Sequence, residues 1–186
     1  DAGNSLAALQ AKIQELRDAG NWNVLVLYAV EWTRREPDNA AAWNQLRAGY
    51  VYLRQYDDAL AAAKKAVQLA PNDAVMWRRL GEVNLDLDDS AGALLAFKEA
   101  AARDAGDIAS LQAMGLLATR LGQPQEAKAA FDRALAAQPG DGVTTCLRNG
   151  AAQLPAARDA YTAYRQVSAL EAKCRGRGEG TAVAAK

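Results

Sequence analysis

Apolar positions along this chain recur at the three-then-four spacing of a helical face, and they do so in pairs of runs. In "AAWNQLRAGYVYLRQYDDALAAAKKAVQLAP", residues 41–71, Trp43, Leu46, Tyr50 and Leu53 fall on one face. After a turn at Gln55–Tyr56, the face resumes with Ala59, Ala63, Ala66 and Ala70. A large-residue stripe set against a small-residue stripe lets two helices approach near the short end of the usual 8–10 Å separation. Pro71, Asn72 and Asp73 then end one helix and start the next. The pattern predicts a helix–turn–helix hairpin.

The hairpin is repeated. Stepping by 34 residues brings Trp43, Trp77 and Leu111 into register, with Leu9 before them. Leu46, Leu80 and Met114 form a second column, Ala59, Ala93 and Ala127 a third, and Ala63, Phe97 and Phe131 a fourth. Pro37, Pro71 and Pro139 close their units, and Gly122 with Pro124 marks the turn inside the last. These columns resemble the tetratricopeptide repeat, a 34-residue helical hairpin. The resemblance implies an all-α chain, a right-handed α-solenoid of antiparallel helix hairpins, with repeats at about 6–39, 40–73, 74–107 and 108–141. A lone hairpin cannot cover its own apolar face, so neighbours stack. Burying an indole is worth ~4–6 kcal/mol before entropy, which assigns Trp43 and Trp77 to the fold.

Two departures stand out. The Gly expected beside the first-helix Leu is present as Gly81 and Gly115 but is replaced by Arg47 and Ile13. A side chain at that crowded position must widen its hairpin or point out sideways. The first unit also carries Lys12 and Trp32 at unusual places, and reads as a cap. A second reading makes Trp22, Tyr28 and Trp32 an exposed homo-oligomer face; a monomer at every concentration in sedimentation would remove it.

After Gly142 the register fades. "VTTCLRNGAAQL" reads as a short helix that Asn149–Gly150 ends early, and Ala156 to Cys174 as a long final helix. The solenoid so defined spans 1–174, with helices over 142–174 and a flexible tail over 175–186. Cys146 and Cys174 leave two alternatives open, a disulfide of an exported protein or two buried thiols. A tight hairpin around Gln153–Leu154 would set Cys146 opposite Tyr161, ~20 Å from Cys174 and beyond the reach of a bridge.

Composition narrows the function. Lys plus Arg and Asp plus Glu both number 22, so the basic excess of a nucleic-acid binder is missing. "WNVLVLYAVEW" is too short for a membrane span. With no His, the usual catalytic bases and most catalytic zinc sites are absent. The acidic run "DLDDS" at Asp86–Ser90 reads as a helix cap rather than a metal cage. The expectation is no enzyme, no cofactor and no metal. The chain begins at Asp1, consistent with a removed leader or a trimmed segment.

The resemblance further implies that the first helix of each unit lines a groove for a peptide or protein segment. By register the groove residues are Gln10 and Gln14; Asn44, Gln45 and Tyr52; Arg78, Arg79 and Glu82; and Gln112 and Leu116. Amides suit a peptide backbone and arginines a carboxylate. The subfamily that clamps chaperone C-termini uses Lys and Asn, then Asn, then Lys and Arg at positions occupied here by Gln10, Gln14, Gln45, Val75 and Arg79, of which only Arg79 has the required charge. The expected role is a non-catalytic interaction module, a bacterial assembly adaptor or scaffold, exported or periplasmic rather than cytoplasmic.

Overall fold

The computed structural model describes the backbone of residues 5–183 and the side chains through residue 176. It contains ten helices and, among the described residues, no strand. They are α1 (Leu6–Asp18), α2 (Trp22–Arg35), α3 (Ala40–Tyr52), α4 (Tyr56–Leu69), α5 (Ala74–Asp86), α6 (Ser90–Arg103), α7 (Ile108–Arg120), α8 (Pro124–Ala137), α9 (Gly142–Ala151) and α10 (Ala160–Val183). The chain divides within α6 into two compact units, residues 1–96 and 97–186.

The repeat is written into the turns as well as the faces. Asn39 and Asp73, one period apart, each cap a first helix by accepting from the backbone N–H two residues on, at 2.9 and 2.8 Å. Asp107 holds the same place at the start of α7, accepting from the Ser110 N–H at 3.2 Å. Inside each hairpin the chain reverses through a left-handed residue. Gly20, Arg54, Asp88 and Gly122 have φ of 67°, 57°, 57° and 68°, at successive 34-residue steps. Arg54 and Asp88 therefore hold a conformation that glycine adopts without strain, at ~1 kcal/mol each.

In the first unit, Leu9, Ile13, Leu16, Leu25, Ala29, Trp32 and Leu46 form one cluster, and Ala59, Ala63, Val67, Met76, Leu80 and Val83 another. Trp43 and Tyr50 pack against both. Trp43 and Trp77 are half-buried rather than enclosed, because each indole N–H reaches back 2.8 Å to a proline carbonyl, that of Pro37 and Pro71 respectively. The ring covers the core while its polar edge closes the preceding turn. Trp32 is not part of an exposed face: it is buried in the first cluster and donates to the Glu36 carboxylate at 2.7 Å. Trp22 is stacked on Tyr52 with ring centroids 3.7 Å apart.

In the second unit, Leu116, Ala127, Phe131, Leu147, Val167, Leu170 and Cys174 make the core. Gly115 is what admits Phe131, since a Cβ on it would stand 2.5 Å from the ring. The same pair of columns holds Arg47 and Ala63 in the second repeat, so large and small have changed sides. Arg47, the side chain that stands at the glycine position there, is buried at 8% exposure.

The C-terminal hairpin differs from its expected register. α9 continues through Asn149–Gly150 to Ala151, and eight non-helical residues, 152–159, separate it from α10. That longer return slides α10 along α9, so that Gly150 abuts Leu170 and Cys146 meets Cys174 instead of Tyr161. The two sulfurs are bonded and the Cα atoms lie 5.6 Å apart. α10 also runs through the glycine-rich stretch to Val183, past the tail boundary expected at 174, because extending a formed helix costs far less than nucleating one. Residues 184–186 of that tail lie outside the described residues.

The bridge predicts a mass two hydrogens below that of the reduced chain. Closing a loop of 28 residues, it contributes roughly 3 kcal/mol, so Cys174→Ser should lower unfolding stability by about that amount. An unchanged denaturation midpoint would show that the bond does not hold the hairpin.

Candidate functional site

The first helices α1, α3 and α5 bring together one cluster of charged and amide groups in the first unit. At its centre is Arg47, on α3, whose Nε donates to Asn44 Oδ1 at 2.8 Å, the one hydrogen bond it makes among the described residues. Arg79 and Glu82, neighbours on α5, form an ion pair at 2.9 Å with both side chains about a third exposed. Arg17 of α1 and Asp86 of α5 also act on Arg47 electrostatically.

Burial dominates the electrostatics. It pulls the Arg47 guanidinium down to about 10, with Arg79 and Arg17 adding like charge and Glu82 and Asp86 opposing them. Asp86 is pushed upward by its own burial and by Glu82, against the pull of Arg47. Arg47 and the groups that act on it are thus three cations and two carboxylates.

The expected groove residues separate into two groups. Asn44, Arg79 and Glu82 join the cluster around Arg47. Gln45 is half-buried, and its Oε1 has no hydrogen-bond partner. Gln10 and Arg78 are half-buried, and Gln14 is exposed and donates to Asp18 at 2.8 Å. Tyr52 is exposed and stacked on Trp22.

Gln112 and Leu116 do not line a groove. Within the second unit α9 and α10 cover this face of α7. Gln112 Nε2 donates to Thr144 Oγ1 at 2.8 Å, and its Oε1 accepts from Arg175 at 3.4 Å. Leu116 packs in the core with Val167 and Leu170, and the Arg120 guanidinium sits 5.1 Å from the centre of the Tyr164 ring. Asp141, which also accepts from Gln112, is held below the ordinary carboxylate range chiefly by the Thr144 hydroxyl. The occupant of this face is the chain's own last helix, fastened by the Cys146–Cys174 bridge.

Arg47 was missing from the sequence-derived set. A signal for Arg47 exists in the sequence: its column is Gly in the third and fourth repeats, and the facing column has Ala63 where Phe97 and Phe131 stand, as Ile13 and Ala29 do in the first repeat. No comparable signal marks the covering of α7, which follows from the length of a loop.

The family described as tetratricopeptide repeat matches residues 108–141, and that of the Chs5p-Arf1p-binding proteins matches residues 34–101. No curated protein matches the sequence. Among solved structures, MamA superposes with a TM-score of 0.71 at 19% identity, covering 91% of this chain and 96% of its own. YrrB, described as a TPR protein with an unusual peptide-binding site, gives 0.68 at 15%, covering 90% and 87%. The first TPR of Spaghetti (RPAP3), bound to the HSP90 peptide SRMEEVD, gives 0.57 at 20%, covering 61% and 90%. At these identities the likeness is one of fold.

A buried cation with no anionic partner weakens the fold that contains it. Arg47→Met, which keeps most of the side-chain volume and removes the charge, should raise stability by roughly 1–3 kcal/mol in urea unfolding. A loss of stability would mean that the fold needs the guanidinium.

Proposed function

We propose that this chain, whose fold is that of tetratricopeptide-repeat proteins and whose residues 108–141 match that family, is a non-catalytic interaction module holding a peptide or protein segment on the face shared by α1, α3 and α5. The observation that carries this reading is unspent hydrogen-bonding capacity on α3: a buried Gln45 Oε1 without a partner among the described residues, and an Arg47 that bonds only Asn44 among them. Buried polar groups in a finished fold are normally satisfied, and those that are not mark places where another molecule completes the set. An extended peptide offers the required groups, N–H donors for amide oxygens and acceptors for guanidinium.

Two relatives in fold support the reading, one with a peptide-binding site and one holding a peptide. The peptide held by the RPAP3 repeat is acidic toward its end, and the lysines of the chaperone-tail clamp are wanting here at Gln10 and Val75. The segment recognised by this chain is therefore engaged differently. The Ala-, Arg- and Asp-rich composition and the disulfide favour a bacterial assembly adaptor or scaffold working in an oxidising compartment such as the periplasm.

Panning a displayed library of random linear peptides against the full chain tests the proposal. Binders should enrich on the wild type and lose at least ~tenfold in affinity on a chain carrying Asn44→Ala, Arg78→Glu and Arg79→Glu. Equal enrichment on both, or none on either, would place the function elsewhere.

A further inference from the structure

Arg47 breaks the rule of its own column. Where the fourth repeat sets Gly115 against Phe131, the second sets Arg47 against Ala63 by the same register. A Met or Leu would supply the same bulk at this register position without taking a charge out of water. Packing explains a long side chain at this position and gives no reason for a guanidinium.

The residue as a whole is 8% exposed, Asn44 fixes its Nε at 2.8 Å, and its two terminal nitrogens make no hydrogen bond among the described residues. Arg79 is already engaged by Glu82, and the cluster of Arg17, Arg47, Arg79, Glu82 and Asp86 sums to one positive charge. This is a site short of a single anion.

We propose that the shared face of α1, α3 and α5 recognises an acidic side chain of the partner polypeptide, its carboxylate paired with the terminal nitrogens of Arg47 and flanked by Arg17 and Arg79. The inference rests on the peptide-binding reading above and adds the chemistry of the ligand. A planar guanidinium presents two parallel N–H groups at the spacing of a carboxylate, which an ammonium cannot do. One negative charge neutralises the cluster, whereas a phosphate dianion would leave an excess against Glu82 and Asp86. The columns that clamp chaperone termini do not include Arg47, so this is a separate means of holding an acid.

The peptides selected on the wild type provide the probe. They should share an Asp or Glu at one position, and changing it to Asn or Gln should weaken binding at least ~tenfold. Arg47→Met should bind the acidic peptide at least ~tenfold more weakly, and against that variant the Asp→Asn or Glu→Gln change should have no further effect. Circular dichroism establishes that the variant is folded; should it not be, Arg47→Lys serves, with weaker binding expected because the fork is lost. Selected peptides without a shared acid, or undiminished binding to Arg47→Met, would overturn the inference and leave the groove intact. Tighter binding of a phosphoserine peptide than of its Glu counterpart would overturn the carboxylate assignment. Failure to select any peptide would remove the groove reading, and this inference with it.

Discussion

Close approach of paired helices is the constraint from which the rest of this molecule follows. Two helices within a hairpin share a fixed space, and a bulky residue on one demands a small residue opposite. Phe131 lies over Gly115 with no room for a Cβ between them. The alanine stripe of α4, buried at Ala59, Ala62, Ala63 and Ala66, serves the same end on a larger scale. In the second repeat the same two columns hold Arg47 and Ala63, both buried, so a charged residue stands where later repeats have glycine.

That exchange links packing to recognition. A desolvated arginine is disfavoured in the free protein and becomes favourable only when an anion joins it. Under the recognition proposed above, the free energy lost in holding Arg47 unpaired would be regained on binding an anion, with the Asn44 contact already fixing its Nε. The second unit shows the opposite solution. There α7 presents Gln112 and Leu116 to the chain's own α9 and α10, and every polar group named on that face has an internal partner. One repeat architecture thus yields an open face in one unit and a closed one in the other.

The hairpins were legible because periodicity of 34 residues is written redundantly, in the Trp, Ala and Pro columns together. Caps at Asn39, Asp73 and Asp107 follow from the same register. The burial of Trp32 was not legible, since the first unit departs from the columns used to place it. Nor was the disulfide: a tight turn and an eight-residue return give registers differing by thirteen residues, from Tyr161 to Cys174, and nothing in "QLPAARD" selects between them. Of the site, Asn44, Arg79 and Glu82 could be counted from the repeat, while Arg47 could be found only by reading two facing columns at once.

A double-mutant cycle on those two columns tests the account most directly. Ala63→Phe alone overpacks the hairpin and should cost about 1–3 kcal/mol. Combined with Arg47→Gly, which restores the pairing seen at Gly115 and Phe131, most of that loss should be recovered, a coupling of at least ~1 kcal/mol. If the two changes add independently in urea unfolding, Arg47 and Ala63 do not share a space, and the arginine is not the product of an exchange of volume.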